Sequence, residues 1–162
     1  MSVELLLDLV GRLHPLVVHL PIGVVLAVAC MELVLRQQAI ETLVAARKFL
    51  LSLALFSAVG ATVSGLLLRS GGGYSGDTVD LHMWLGIAMT LSLGVTTVLV
   101  WLPSGSAFHF AGYRLCLIAT VVLLVLGSHQ GGILTHGRGY FSDVWATTEG
   151  RAAPSESTVD AV

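Results

Sequence analysis

The sequence alternates long apolar segments with short polar ones. Four apolar runs are each long enough to cross a bilayer as a helix, which takes about 20 residues, and they cover residues 14–35, 45–68, 81–102 and 112–134. Backbone polar groups in lipid must be paired within the protein, and the runs are continuous rather than alternating, so the pattern predicts helices and not barrel strands. The expected fold class is therefore all-α, as an integral membrane protein in contact with the lipid bilayer.

Short segments connect these runs, at residues 36–44, 69–80 and 103–111. Short connections favour antiparallel neighbours, so we expect a four-helix bundle with the N- and C-termini on the same side. Residues 1–11 carry apolar side chains at helical spacing, which predicts a short interfacial segment. The transmembrane domain is expected over residues 12–140 and a flexible tail over 141–162. No internal sequence repeat is evident.

Composition agrees with this interpretation. Of the 162 residues, 55% are hydrophobic and 11% are charged, and the mean hydropathy is +0.87. A net charge of −2 without a basic stripe gives no electrostatic footprint for nucleic acid, so nucleic-acid binding is set aside. Cys30 and Cys116 have no metal or redox spacing and are expected to be small buried hydrophobes.

Five of the six histidines fall at one end of the expected bundle, the end that holds both predicted termini, which we call side A. These five residues are His14, His19, His82, His129 and His136. His109 lies at the other end, side B. Ionisable groups in a membrane helix are costly and are functional candidates by default. A single interfacial histidine is usually a satisfied polar residue, whereas five from three helices favour a binding site.

Charge placement favours side B as the cytoplasmic side. The basic residues of side A are Arg12, Arg69, Arg138 and Arg151. Those of side B are Arg36, Arg47, Lys48 and Arg114. Positive residues in short loops mark the cytoplasm, and Arg151 falls in the tail. We therefore expect a bacterial inner-membrane protein with its histidine cluster on the periplasmic side.

Neutral imidazole binds haem iron, copper and zinc, so the depth of each histidine matters. At about 1.5 Å per residue, His19 lies roughly 7 Å deeper than His14, and His129 lies roughly 10 Å deeper than His136. The deeper two come from different helices at matching depth. We therefore expect His19 and His129 to be the axial ligands of a haem b. His14, His82 and His136 are then left for a second haem, for propionate contacts or for a partner.

Arginines on side A can pair with haem propionates. The three candidates are Arg12, Arg69 and Arg138. Interfacial anchoring is the more frequent use of such residues. Helix glycines leave room for a flat macrocycle, although close helix packing explains them equally well.

Two other functions stay open. Copper or zinc held by His14, His82 and His136 is the first, and a cofactor-free structural subunit of a larger membrane complex is the second. No hydrolytic or transferase motif is found, so an enzyme is expected at most as part of a redox complex. Glu32 is the one acid deep in an apolar run, and a single carboxylate makes a poor proton relay.

Two histidine motifs carry a resemblance to a known family. Residues 13–23 read LHPLVVHLPIG and residues 127–137 read GSHQGGILTHG. On these motifs, residues 11–140 resemble a bacterial family of four-helix membrane proteins known as domain of unknown function 2231. Some members are joined to c-type cytochrome domains. The resemblance thus implies an electron-transfer chain, with c-type cytochromes or other subunits of a membrane redox complex as partners.

The resemblance also implies which histidines matter. By position, four residues match the family's histidines: His14, His19, His129 and His136. His82 matches less clearly. Together with the clustered histidines, this leads us to expect a b-type cytochrome-like membrane electron-transfer subunit.

Overall fold

A computed structural model describes residues 2–35, 41–103, 106–139 and 143. Its helices are α1 (Val3–Arg12), α2 (His14–Val17), α3 (His19–Leu35), α4 (Glu41–Ser70), α5 (Asp77–Trp101) and α6 (Ala107–His136). Four stretches are long and apolar enough to cross a membrane, namely His14–Val34, Ala45–Ser70, Asp77–Trp101 and Ala107–His136. The all-α prediction is confirmed. Apart from Asp143, the predicted tail lies outside the described residues.

Two prolines interrupt the first span. Proline has no N–H, so Pro15 and Pro21 each remove one hydrogen bond from the helix ladder. Leu13 and Val18, which separate α1, α2 and α3, both keep right-handed helical dihedral angles. The path of the helix therefore continues through all three segments although its hydrogen bonding is interrupted.

The predicted N-terminal helix is present as α1, and it packs against the side A end of α4. Gly11 is buried there, and a Cβ atom at this position would lie 2.8 Å from the backbone nitrogen of Leu68. Leu5 and Leu9 are exposed on its outer surface. Its location in the membrane interface stays a prediction.

The spans pack in up-and-down order around the bundle. α3 packs on α4, α4 on α5 and α5 on α6, and α6 returns to α3, whereas no Cα atoms of α3 and α5, or of α4 and α6, lie within 8 Å of each other. Near the start of α5, His82 bonds to Gly127 near the end of α6. Near the end of α3, Glu32 bonds to Tyr113 near the start of α6. Neighbouring spans therefore run antiparallel, as the short connections predict.

Small and branched apolar residues fill the core, and hydroxyl groups cross between helices inside it. The core includes Val25, Val28, Leu51, Ala54, Ala58, Leu93, Leu117 and Leu124. Ser92 Oγ lies 2.8 Å from Thr120 Oγ1, which joins α5 to α6. Thr62 Oγ1 lies 2.9 Å from Thr90 Oγ1, which joins α4 to α5. Such bonds contribute about 0.6 kcal/mol each in membrane bundles.

The expectation for the cysteines is wrong at one position. Cys30 is exposed, and Cys116 is half-buried. Cys30 is two residues from both Val28 and Glu32, which is about 200° around a helix. Because Val28 and Glu32 are buried, Cys30 falls on the outer face of α3.

A buried ion pair lies at side B. Glu32 is only 8% exposed, and its Oε1 accepts hydrogen bonds from Arg47 Nη1 at 3.2 Å and from the Tyr113 hydroxyl at 2.8 Å. The Arg47 guanidinium lies over the Tyr113 ring, 5.1 Å from its centroid. These side chains belong to α4, α3 and α6, so one polar cluster joins three spans.

Removing the cation of this cluster is expected to destabilise the bundle. Arg47→Leu leaves the Glu32 carboxylate buried without its partner, which typically lowers the free energy of unfolding by about 3–5 kcal/mol. Tyr113→Phe loses one interhelical hydrogen bond, with an expected loss of about 1 kcal/mol. Denaturant unfolding of the purified protein in detergent micelles measures both effects. Arg114→Leu is the matched control, because Arg114 is exposed beside Tyr113; an equal loss in this variant contradicts the assignment.

Candidate functional site

His14 and His82 meet inside the bundle at side A. Their ring centroids are 6.2 Å apart, and the ring planes are nearly perpendicular at 79°. Both residues are half-buried. No Cα atom of α2 lies within 8 Å of one in α5 or α6, so the two imidazoles span a gap between the helix backbones. We call this pair the imidazole pair.

Hydrogen bonds to helix carbonyls fix both rings. His14 Nδ1 lies 2.9 Å from the Ala61 carbonyl oxygen, and His82 Nδ1 lies 2.9 Å from the Gly127 carbonyl oxygen. A carbonyl oxygen only accepts, so each Nδ1 carries the proton and donates it. In a neutral imidazole the other nitrogen, Nε2, then keeps its lone pair. The arrangement therefore leaves one free metal-binding nitrogen on each ring.

Ser64 adds a second contact at His14. Its Oγ donates to the Ala61 carbonyl oxygen at 2.9 Å and lies 3.2 Å from His14 Nδ1. Because the serine proton points to the carbonyl, its oxygen can accept from the imidazole N–H. The His14 proton is thus shared between two acceptors.

Glycines make room for both rings. A Cβ atom at Gly65 would lie 2.8 Å from His14 Cε1, and one at Gly131 would lie 3.1 Å from His82 Cε1. Distances below 3.0 Å require an atom to move, and 3.1 Å is tighter than ordinary contact. Each imidazole therefore occupies space that any other residue would fill.

The positions along each helix explain why these two histidines point inward. Val25 follows His14 by eleven residues, and Leu93 follows His82 by the same number, which returns to almost the same side of a helix. Val25 and Leu93 are both fully buried. The imidazole pair thus belongs to the core-facing sides of its two helices.

The other predicted histidines lie on the outside. His19, His129 and His136 are all exposed. His19 is two residues from buried Pro21, and His129 is two residues from buried Gly127, so each is about 200° from a core position. Among the described residues, no three His, Cys, Asp or Glu side chains lie close enough together to hold a metal ion. The structure thus brings together His14 and His82, and it leaves the deeper pair on outer faces.

The three predicted arginines have partners at side A. Arg12 Nε pairs with the Asp8 carboxylate at 2.9 Å. Arg69 Nη2 pairs with the Asp80 carboxylate at 2.6 Å, and its Nη1 contacts Met83 Sδ at 2.7 Å. Arg138 Nη2 donates to Thr78 Oγ1 at 3.4 Å. Arg69 and Arg138 therefore surround the start of α5, close in sequence to His82.

At side B, His109 has a local role. Its Nε2 lies 2.8 Å from the Leu99 carbonyl oxygen, and its ring meets Phe110 edge to face. This is the satisfied polar residue expected from its position. It is the opposite tautomer from the imidazole pair, because here Nε2 is the donor.

Sequence reasoning noted that helix glycines leave room, but it missed which glycines lie against the imidazole pair and which groups accept its hydrogen bonds. The acceptors and glycines are Ala61, Ser64, Gly65, Gly127 and Gly131. The side of the helix on which each histidine lies is the feature that identifies the pair, because His14 and His82 each lie on the same side as a buried residue later in the helix. Depth alone ranked His19 and His129 first, because it ignores rotation around the helix.

Comparison of the chain with known protein families, with characterised proteins and with solved structures finds no match. The resemblance to the four-helix family stays a prediction. The class that the fold and the side chains define is a four-span helical membrane protein with a half-buried imidazole pair at one end.

The tautomers of the imidazole pair are directly measurable. In each neutral ring we expect the proton on Nδ1, because each Nδ1 faces a carbonyl oxygen. Nitrogen NMR of the histidine-labelled protein under mildly alkaline conditions distinguishes the two tautomers. His14→Gln and His82→Gln assign the signals, and His109 serves as the internal reference for protonated Nε2. If the signals of His14 and His82 are both of the Nε2-protonated type, the hydrogen bonding described above is contradicted.

Proposed function

We propose that this protein is a b-type cytochrome-like membrane electron-transfer subunit that binds haem through His14 and His82. The observation that carries the proposal is the imidazole pair itself: two rings from opposite sides of the bundle, each with Nδ1–H bonded to a carbonyl and with no hydrogen bond at Nε2 from the described residues. Metal-binding histidines almost always donate their other ring N–H in this way. Haem, when bound, supplies one-electron chemistry.

The ring spacing fits two ligands on opposite sides of one metal. If both rings held one metal, bonds of about 2.0 Å and a ring radius of about 1.1 Å would place the centroids roughly 6.2 Å apart in a linear arrangement and roughly 5 Å apart in a tetrahedral one. The observed distance is 6.2 Å. Two aromatic rings that pack edge to face without a metal have centroid distances in the same range. The spacing therefore supports metal binding only in combination with the tautomers of the two rings.

The surroundings leave local space beside the imidazole pair. The backbone of α2 stands away from α5 and α6. One turn after His82, Gly86 is half-buried, and a Cβ atom added there would have no neighbouring atom within 4 Å. Room is therefore present on the core side of α5 directly beside the ring. The chain's own contribution is to orient two imidazoles and to surround them with apolar helices that limit water.

This proposal assigns the axial positions to His14 and His82 in place of the predicted His19 and His129. The reason is rotation: the deeper pair lies on outer faces about 200° from the core positions of its helices. Those outer faces suit contact with lipid headgroups or with another subunit. Arg69 and Arg138 are the arginines nearest to the start of α5, and they are the proposed propionate contacts.

The cellular setting follows from the same proposal. We place the imidazole pair at the periplasmic side of a bacterial inner membrane, because positive residues in short loops favour side B as cytoplasmic. A c-type cytochrome or another subunit of a membrane redox complex is the proposed partner. The pair is half-buried near one end of the bundle, which leaves a short path to a partner at side A.

A copper or zinc site is the second candidate, and the ring spacing favours one form of it. Two imidazoles on opposite sides of a cuprous ion fit 6.2 Å better than two at a tetrahedral zinc. Elemental analysis separates this candidate from haem, since it predicts copper without iron. A cofactor-free structural subunit predicts neither metal.

Substitution of individual histidines tests the haem assignment. Wild-type protein purified from cells supplied with a haem precursor is expected to show reduced-minus-oxidised Soret and α bands. His14→Ala and His82→Ala each remove an axial nitrogen, so we expect at least tenfold less bound haem in either variant. His19→Ala, His129→Ala and the side B control His109→Ala are expected to keep the wild-type spectrum.

Two outcomes contradict the assignment. A colourless wild-type protein, after adequate haem supply, rules out haem binding. Loss of the bands in His19→Ala and His129→Ala, with retention in His14→Ala and His82→Ala, returns the axial positions to the pair first expected from depth.

A further inference from the structure

The two halves of the bundle place their histidines in the same local setting. The first hairpin consists of α2 and α3 with α4, and the second consists of α5 with α6. In the first, His14 bonds to the carbonyl of Ala61 and lies against Gly65. In the second, His82 bonds to the carbonyl of Gly127 and lies against Gly131. In both hairpins the acceptor precedes the glycine by four residues, which is one helical turn.

The buried positions repeat along the first helix of each hairpin. Counting from the histidine, positions 11, 14 and 18 are buried in both: Val25, Val28 and Glu32 after His14, and Leu93, Thr96 and Val100 after His82. All six residues are at most 9% exposed. The two first helices therefore present the same pattern to the core although their residues differ.

The second helices repeat with equal regularity. A shift of 66 residues matches four buried positions of α4 with four of α6: Leu51 with Leu117, Ala54 with Thr120, Ala58 with Leu124, and Ala61 with Gly127. The same shift matches Gly65 with Gly131 and Arg47 with Tyr113. What repeats is therefore which positions are buried and which side of the helix they occupy. This pattern is found in both helices of each hairpin.

Contacts between matched residues locate the axis. In a two-fold arrangement only residues near the axis touch their own counterparts. His14 touches its counterpart His82 at side A, with ring centroids 6.2 Å apart. Arg47 touches its counterpart Tyr113 at side B, 5.1 Å from the ring centroid. The axis therefore runs along the bundle, through the imidazole pair at one end and the Arg47–Tyr113 contact at the other.

We propose that the two hairpins are equivalent halves of an internal two-fold repeat, and that Gly65 and Gly131 are the positioning residues of the site on its axis. Each glycine sets the ring of its own hairpin's histidine, so the site presents two like nitrogens to one ligand from opposite sides. The ligand class is a metal centre with two open positions on opposite faces. This identification of the ligand rests on the proposed function, whereas the repeat and the glycine roles do not.

Alanine at either glycine tests the proposal. The three atoms nearest to an added Cβ at Gly65 or Gly131 all belong to the histidine ring, the first at 2.8 Å and 3.1 Å respectively, so the ring is displaced, and further in Gly65→Ala than in Gly131→Ala. Gly65→Ala is expected to shift the nitrogen NMR signals of His14 more than those of His82, and Gly131→Ala the reverse. Haem titration is expected to show about 10–100-fold weaker binding in both variants, as for other losses of support behind a ligand.

Neighbouring glycines provide matched controls. Gly60 in α4 and Gly132 in α6 have nothing within 4 Å of a Cβ position, so Gly60→Ala and Gly132→Ala are expected to keep wild-type signals and affinity within about twofold. Loss of folding would move both histidine signals together, which separates it from displacement of one ring.

The outcomes also separate this proposal from the haem assignment. If the wild-type protein binds no haem, but Gly65→Ala and Gly131→Ala each displace one histidine ring, the glycine roles are supported and the proposed function is ruled out. Haem binding by both variants with wild-type affinity and unshifted histidine signals overturns the glycine roles and leaves the proposed function in place.

Discussion

The hydrogen bond from an imidazole N–H to a helix carbonyl is the interaction on which the candidate site depends. In a bilayer, water is not at hand to satisfy a polar group, so a histidine that points into the bundle has to find a partner in the protein. His14 and His82 find theirs in the backbones of α4 and α6. This one bond fixes the ring, chooses the tautomer and leaves Nε2 for a ligand.

The same constraint explains the distribution of polar side chains in the bundle. Glu32, Arg47 and Tyr113 satisfy one another at side B, and the hydroxyls of Ser92 and Thr120 pair between helices. Large apolar side chains are exposed on the outer surface, which is compatible with contact with lipid. Polar interactions inside the protein thus hold together helices whose outer surfaces have no preference between lipid and one another.

The four spans and their antiparallel order follow from apolar length and short connections, which is why they were predictable from the sequence. The choice among five histidines was not, because it depends on rotation around helices, and Pro15 and Pro21 made the angle within the first span uncertain. The ion pair was also missed: Arg47 read as a loop charge, and its partner Glu32 is separated from it by a chain reversal.

The internal repeat escaped detection for a related reason. Its matched positions share burial and facing, whereas their residues differ: Val28 matches Thr96, and Arg47 matches Tyr113. A core position of the bundle requires only a side chain that fits the space between the helices, and many residue types meet that requirement in a membrane protein. The histidines and the glycines against them, which carry the site, are the same in both halves.

Electron paramagnetic resonance of the oxidised, haem-supplied protein tests the central claim most directly, because the signal reports both axial ligands and the angle between their planes. Two imidazoles at 79° predict a highly anisotropic low-spin ferric signal, which His14→Ala and His82→Ala are each expected to abolish. A wild-type protein with no ferric haem signal, or with a low-spin signal that survives both substitutions, contradicts the assignment of the imidazole pair.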